Sequence, residues 1–490
     1  MKKSDFEQID LLFNPQSVAV VGATDTLGKW GFDLIRVLLK NKGSRKIYPV
    51  NTMEAEVSGV KAYRKVSDIP EPVDFVAIVV PESQVISVMK DCVKKGVKGA
   101  IVITAGFAEV GEKGLQVQKE LVQIARQGNI RFIGPNTMGH FNMASGFNTL
   151  TYSPAFKTRS GIGLISQSGN IGGYVLMRGL DEGIGFSKFI GTGNEADVTL
   201  EDLLEYLGQD EETRIIAMYI EGLRQGRRFF DLAREITRKK PIVAIKVGRT
   251  EAGTRAVRSH TSALSGSDAI YDAMFKQCGV IRVDKISELF DTAVALLNQP
   301  VMRGNRIGIL TRGGGFGALA SDACQKNGLE LSTLSNATLE RLNEILPPYW
   351  SHANPVDMVA SNAYAYSCVE ALMDDDNVDA VYYVAVVDEN RRFNMQRLDD
   401  VPPAERENAR KMIEEYERLN IESVDKMVSN IKKYRKPIIF CASTPSRKLY
   451  DSEFYHRLLD NNSLVYATPE DGARVLSCLA QYSSYRSSQN

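Results

Sequence analysis

Val18-Ala-Val-Val-Gly22, followed directly by Ala-Thr-Asp-Thr-Leu-Gly-Lys-Trp-Gly31, decides the fold class. The first five residues are a continuous apolar run that ends in glycine. A strand buried on both faces reads this way, whereas a half-exposed strand alternates. From Trp30 to Leu39 the apolar residues recur at helical spacing. Strand-like runs then follow at Lys46–Asn51, Phe75–Val80, Ala100–Thr104 and Ile130–Gly134, with helical stretches at Ser83–Lys95 and Lys113–Arg126. Strands alternating with helices predict a parallel sheet with right-handed crossovers. The ligand edge of such a sheet is the carboxyl ends of its strands.

The pattern repeats twice. A second block has strand candidates at Ile162–Ser166, Phe186–Ile190, Ile215–Ile220 and Pro241–Lys246. A third has them at Arg306–Leu310, Ala380–Val386, Pro437–Cys441 and Leu464–Ala467, with a long charged surface helix between Pro402 and Lys436. A chain of 490 residues corresponds to about three domains. The divisions expected are 1–145, 146–300 and 301–490.

Composition excludes several functions. Lys+Arg and Asp+Glu are both 60, a formal charge of zero, which offers no strong field for nucleic acid or an anionic membrane but leaves room for a local basic cleft that takes a phosphate ligand. The six cysteines form no CxxC pair, and the four histidines form neither HExxH nor HxH. No metal site and no disulfide framework is expected, and a reducing, cytoplasmic compartment fits. The N-terminus lacks the apolar core of a signal peptide, and no apolar run of about 18 residues is present to cross a membrane.

Four stretches carry chemistry. Gly22–Gly31 is neither GxGxxG nor a Walker A loop: Gly22 to Gly28-Lys29 is one residue too long, and Trp30 replaces Ser/Thr. Its glycines and Lys29 at a helix N-terminus still favour an anion; a plain βα turn is the alternative. Ser166-Gln-Ser-Gly169 opens a second helix, either as an anion site or as an ordinary N-cap. Thr311-Arg-Gly-Gly-Gly315 opens a third, where consecutive glycines suggest close backbone approach by a ligand, against a tight turn with none. The stretch from Gly248 to Gly266 reads as a long loop of small residues with Arg249, Arg255, Arg258 and His260. A long loop in a compact domain is usually functional or disordered. His260 is either a nucleophile for a phosphoryl group or a solvent-facing loop residue.

Taken in order, several motifs resemble the α subunit of ADP-forming acyl-CoA (acetyl-CoA) synthetases, in the superfamily that includes succinyl-CoA synthetase. They are Val20-Val-Gly-Ala-Thr24, Ile103-Thr-Ala-Gly-Phe107, Gly134-Pro-Asn136, Ser166-Gln-Ser-Gly169, Tyr219-Ile-Glu-Gly222, Gly248-Arg-Thr-Glu-Ala-Gly253, Ser259-His-Thr261, Thr311-Arg-Gly-Gly-Gly315 and Asn354-Pro-Val-Asp357. The resemblance covers nearly the whole chain. It implies an α/β protein with an N-terminal Rossmann-like CoA-binding domain and two flavodoxin-like domains. The reaction implied interconverts acyl-CoA, ADP and phosphate with a carboxylic acid, CoA and ATP, through an acyl phosphate and a phosphohistidine at His260. Glu221 matches the carboxylate that orients that histidine. Gly22, Ala23, Thr24, Lys29, Asn51, Val80 and Pro81 match the CoA groove. Ile103, Thr104, Gly134, Pro135 and Asn136 match positions near the pantetheine arm and thiol. Ser166, Gln167, Ser168 and Gly169, with Gly313, Gly314 and Gly315, match two helix N-termini aimed at one phosphate. The nucleotide with Mg2+ would sit on a separate ATP-grasp β subunit, in an α2β2 assembly.

Departures from the family pattern fall at Met53, Asn170-Ile171, Ser262 and Arg312. Two other functions compete. A non-catalytic CoA-binding regulator would need neither His260 nor Glu221. A nicotinamide-dependent oxidoreductase is disfavoured by the missing GxGxxG. His140 is expected merely to line the CoA thiol region.

Overall fold

A computed structural model describes residues 3–156, 160–260, 267–359, 364–386, 398, 401–442 and 453–489; the side chains of residues 3–4, 257–260, 386, 416–417 and 420 are outside that set. Ser262 is likewise outside it. The chain forms two compact units, Met1–Phe290 and Asp291–Asn490.

The first unit contains helices α1 (Lys3–Phe13), α2 (Trp30–Lys40), α3 (Glu82–Lys95), α4 (Glu112–Gln127), α5 (Gly169–Asp181), α6 (Leu200–Gln209), α7 (Gly226–Ile236) and α8 (Glu251–His260). Its first sheet uses β1 (Ser17–Val21), β2 (Lys46–Val50), β5 (Phe75–Ile78), β6 (Gly99–Val102) and β7 (Arg131–Ile133), while β3 (Glu56–Val57) and β4 (Val60–Lys61) make a small hairpin. The order is β2-β1-β5-β6-β7, all parallel. Every residue of β1 is buried, as its unbroken apolar run requires. Because β1 lies between β2 and β5, strand order reverses there and opens a crevice at its carboxyl end.

The second sheet uses β8 (His140–Asn142), β9 (Phe147–Asn148), β10 (Ile162–Ser166), β11 (Lys188–Gly191), β12 (Ile215–Ile220), β13 (Ile242–Lys246) and β14 (Ile281–Val283). Its order is β14-β13-β12-β10-β11-β8-β9, parallel from β14 to β11, with β8 antiparallel to β11 and β9 to β8. Sheet membership therefore changes between Ile133 and His140, ahead of the boundary expected at residue 145. Strands β8 and β9 are too short to show a period in the sequence.

In the second unit, β15 (Arg306–Thr311), β16 (Glu330–Leu331), β17 (Val356–Asp357), β18 (Ala380–Val386), β19 (Ile438–Ala442) and β20 (Val465–Tyr466) form a parallel sheet. Its path is β16-β15-β18-β19-β20, with β17 beside the end of β15. The charged segment forms the helix Arg406–Tyr434. It buries Val424, Met427 and Ile431 along one stripe, as an amphipathic surface helix does. Asn354 staples this unit: its Nδ2 donates to Ile307 O (2.8 Å) and Ser332 O (3.0 Å), and its Oδ1 accepts from Ile309 N (2.9 Å).

The stretch expected to be a long loop from Gly248 is helical from Glu251 to His260. Glu251 lies in the first turn and Arg255 one turn later, 3.9 Å from it, an order that suits the helix dipole. Gly253 and Thr254 disguise the segment, since both are poor helix formers.

His140 belongs to the core rather than to a ligand site. It is fully buried, its Nε2 lies 2.7 Å from Leu12 O, and its Nδ1 lies 3.0 Å from Thr149 Oγ1. A carbonyl only accepts, so Nε2 carries the proton. Phe13, Phe75 and Phe147 surround the ring at 5.2–5.9 Å. Burial pushes its pKa down to about 4, opposed in part by the Leu12 carbonyl. The unfolded chain takes up this proton first, so the stabilisation is complete above about pH 6.5 and is lost as pH falls through 4. Wild type should exceed His140→Gln in urea-unfolding free energy at pH 7.5. The gap should shrink by up to about 3 kcal/mol between pH 6.5 and 4.

Two glycines of the first βα turn should respond differently to alanine. Gly22 has φ +96°, and a Cβ there would lie 2.3 Å from Val79 O; Gly28 has φ +84° but faces open space. In urea unfolding, Gly22→Ala should cost about 3 kcal/mol, from strain plus overlap. Gly28→Ala should cost about 1 kcal/mol, from conformation alone.

Candidate functional site

The carboxyl edges of the first two sheets border one cleft of about 720 Å³ in the first unit. The β1–α2 turn contributes Gly22, Gly28, Lys29, Trp30 and Gly31. Close approach here has a geometric basis: a Cβ on Gly31 would sit 1.9 Å from Gly22 O. Lys29 is the N-cap residue of α2 without a side-chain cap bond and is exposed at the positive end of the helix. Val80, Ile103, Thr104 and Asn136 line the wall. Thr104 Oγ1 donates to Val80 O (2.7 Å), and Asn136 N donates to Thr104 O (2.9 Å), which ties the ends of three strands.

The β10–α5 turn contributes Gln167, Ser168 and Gly169, and the segment after β12 contributes Glu221. Ser168 is the N-cap, its hydroxyl accepting from Ile171 N at 3.5 Å. Ser168 is thus an N-cap at the border of the cleft. Gln167 Oε1 accepts from Glu221 N and from Gly222 N (3.0 Å), and its Nε2 donates to Gly222 O (2.8 Å) and Glu195 Oε1 (2.8 Å). Glu221 is 8% exposed.

Other expected residues serve the walls rather than the cavity. Ala23, Thr24, Gly134, Pro135 and Ser166 are buried. Ser166 Oγ donates to Ser168 O (2.6 Å) and shapes the turn. Asn51 Nδ2 donates to Ala23 O (2.8 Å) and Glu54 Oε1 (3.1 Å), while its Oδ1 accepts from the amides of Met53 and Glu54. Thr24 Oγ1 also donates to Glu54 (2.9 Å). Asn51 and Thr24 therefore brace the turn. Pro81 is exposed at the start of α3. Met53 is 90% exposed and makes no wall of the cleft.

Gly313, Gly314 and Gly315 lie in the second unit, where Gly313 precedes the helix Gly314–Lys326. A Cβ on Gly313 or Gly315 would meet nothing within 4 Å. Thr311 Oγ1 donates to Gly313 O (3.0 Å) and closes the turn. The backbone of α8 reaches His260, whose side chain is outside the described residues.

Sequence reasoning missed Thr137, Met138, Gly193 and Asn194, which also line the cleft. It also missed Glu195 and Lys246 beneath it. Glu195 is 4% exposed and Lys246 2%. Burial pushes Glu195 up to about 7, against the pull of Gln167 and Arg224. Burial lowers the Lys246 pKa, opposed by Asp268; its ammonium lies 4.5 Å from the Tyr271 ring centre and donates to Val247 O. The Thr192-Gly-Asn-Glu195 run after an apolar stretch was the available signal. Among the described residues, no group of three or more His, Cys, Asp or Glu side chains is placed to hold a metal, and no helix is long and apolar enough to cross a membrane.

Comparisons with known proteins show the family and the fold. Residues 16–142 match the CoA binding domain family, 159–296 the succinyl-CoA ligase like flavodoxin domain and 307–387 the ligase-CoA domain. The chain is 44% identical to the α subunit of ADP-forming acetate–CoA ligase II of Pyrococcus furiosus, across 77% of this chain and 82% of that one. It is 36% identical to ADP-forming acetate–CoA ligase II of Archaeoglobus fulgidus, across 99% of this chain and 69% of the relative. The solved dinucleotide-forming acetyl-coenzyme A synthetase 1 of Ca. Korarchaeum cryptofilum, in complex with phosphate and ADP, superposes with a TM-score of 0.84 at 32% identity, covering 98% of each chain. The chain belongs to the ADP-forming acetate–CoA ligase family, a family of acid–thiol ligases, with an α/β fold of a CoA-binding domain followed by flavodoxin-like ligase domains.

Proposed function

We propose that the chain is the catalytic α subunit of an ADP-forming acyl-CoA synthetase, working in the cytoplasm with a separate ATP-grasp β subunit in an α2β2 assembly. Relatives named as α subunits support a partner chain. The observation that carries the reading is the single cleft that brings the Gly22–Gly31 turn together with Gln167, Ser168, Gly169 and Glu221.

The cleft suits CoA. Its apolar wall of Val79, Val80, Ile103 and Met138 fits the pantetheine arm, and Lys29 at the start of α2 fits a phosphate. CoA supplies the thiol that exchanges with the carboxylic acid. The α5 N-terminus, with Ser168 and Gly169, offers amides to inorganic phosphate beside that thiol. In the second unit, Gly313–Gly315 open another helix N-terminus of the same design.

His260 takes the phosphoryl group from the acyl phosphate. A ring nitrogen forms a bond to phosphorus, and the bond from phosphorus to the carboxylate oxygen breaks. The free acid leaves. Glu221 holds the imidazole in one orientation. Segment 247–260 leaves the sheet at β13, next to β12, whose last residue Ile220 precedes Glu221: Val247 N donates to Ile220 O at 3.1 Å. Helix α8 is about 15 Å long, at 1.5 Å per residue. ADP or ATP with Mg2+ would be held by the partner.

The test is phosphohistidine formation. The chain, with and without its ATP-grasp partner, is incubated with acetyl-CoA and other acyl-CoAs and labelled phosphate. Acid-labile label should map to His260, and His260→Asn should abolish both label and turnover. Glu221→Gln should slow labelling at least about 100-fold. CoA binding with no label under any condition would instead establish a binding regulator.

A further inference from the structure

Gln167 has four hydrogen-bonding positions, and all are filled. Two lone pairs of Oε1 take the amides of Glu221 and Gly222. The two Nε2 hydrogens go to Gly222 O and Glu195 Oε1, each at 2.8 Å. Three partners belong to the backbone that carries Glu221. The fourth is a carboxylate from a different segment, after β11.

Glu195 is held in an unusual place. Its φ is +51°, the left-handed region that a non-glycine residue seldom adopts. The neighbouring amides hold it there: Asn194 N donates to Pro135 O (2.9 Å) and Ala196 N to Gly134 O (3.0 Å). The charged and titratable groups facing it are few. Arg224, after β12, lies 3.7 Å from Oε2. Glu201 on α6 adds like charge, and the Thr192 hydroxyl lies at the end of β11. Strain at a buried carboxylate bonded to a residue that lines the cleft marks a group kept for more than packing.

We infer that Glu195 is a positioning residue: its carboxylate locks the Gln167 amide in the orientation that presents Oε1 to the Glu221 and Gly222 amides, and so sets Glu221 at the cleft. The inference deepens the proposed function and rests on Glu221 being the orienting carboxylate. An ionised carboxylate accepts at both oxygens; a protonated one can still offer Oε1 to Nε2 but turns Oε2 into a donor set against the Arg224 guanidinium. The full set of contacts therefore belongs to the ionised form. That form is costly to bury, which is the physical cause of the raised pKa, about 7.

The sign follows from linkage. Between the unfolded value near 4.5 and the folded value, the folded chain holds more protons, so this group's contribution to stability falls as pH rises. Function and stability thus make opposite demands on Glu195.

The experiment uses the complete enzyme with its ATP-grasp partner and compares wild type, Glu195→Gln, Gln167→Leu and the double variant. Turnover of wild type should rise with pH through a limb near 7. Glu195→Gln should lose about ten-fold in kcat, with KM for acetyl-CoA within about two-fold, and its limb near 7 should vanish. At pH 8 its Tm should equal or exceed wild type. The double variant should be no slower than Gln167→Leu alone. Wild-type kcat with an unchanged pH limb in Glu195→Gln would overturn the inference, as would a Tm loss at pH 8 with no change in pH profile. His260→Asn, assayed in parallel, separates the two ideas. Full turnover of His260→Asn would defeat the phosphohistidine reading, while a slowed, pH-flat Glu195→Gln would still support the positioning role.

Discussion

The side-chain amide of Gln167 joins chain segments that the sheet alone leaves separate. Parallel strands bring β10 and β12 side by side, with Ser166 opposite Tyr219. Just beyond this pair Gln167 N still donates to Tyr219 O (3.2 Å), whereas the amides of Glu221 and Gly222 lie past the end of β12. Buried backbone groups need partners, because an unmade hydrogen bond costs the full desolvation of the group. Gln167 supplies these partners for Glu221 and Gly222 from the adjacent turn. The cleft takes its shape from that substitution of side chain for strand.

The same economy of backbone explains the other wall. At the β1–α2 turn, helix and loop approach so closely that Gly31 leaves no space for a Cβ against Gly22 O. Asn51 and Glu54 then hold the loop from outside through Ala23 and Thr24. Lys29 is left exposed at the helix start because the neighbouring carboxylates are engaged elsewhere: Glu54 with the loop, and Asp25 with the amide and hydroxyl of Ser58. A cation beside free helical amides is a natural seat for phosphate.

Buried charge lies at both edges of the second sheet. Lys188, at the amino end of β11, pairs with Asp210 at 2.8 Å, and Lys246, at the carboxyl end of β13, rests on Tyr271. Such groups are expensive to desolvate and survive only with good partners. Both lysines lie at strand ends. Between the ends, β1, β10 and β13 are apolar, and every residue of the three strands is buried.

Strands such as Ile162–Ser166, Ile215–Ile220 and Ala380–Val386 were legible in sequence because a doubly covered parallel strand must be apolar throughout. The glycine turns were legible for a similar reason, since local backbone demands few alternatives. Strands β8, β9 and β17 were not, being two or three residues long and defined only by their neighbours. Helix α8 was hidden by Gly253 and Thr254. Among candidate site residues, Gly22, Lys29, Gln167, Ser168, Gly169 and Glu221 belong to recognisable motifs, and all of them line the cleft. Glu195, His140 and Asn51 carry side chains whose chemistry is decided by what surrounds them. The sequence by itself determined the parallel α/β class and the ligand edge, which follow from local periodicity, and the family resemblance, which rests on short motifs in order along the chain. Tertiary structure alone decided that His140 is a neutral core residue, that Asn51 braces a loop and that Glu195 reaches Gln167. Burial and hydrogen-bond partners come from segments far apart in the chain, and no local pattern encodes them.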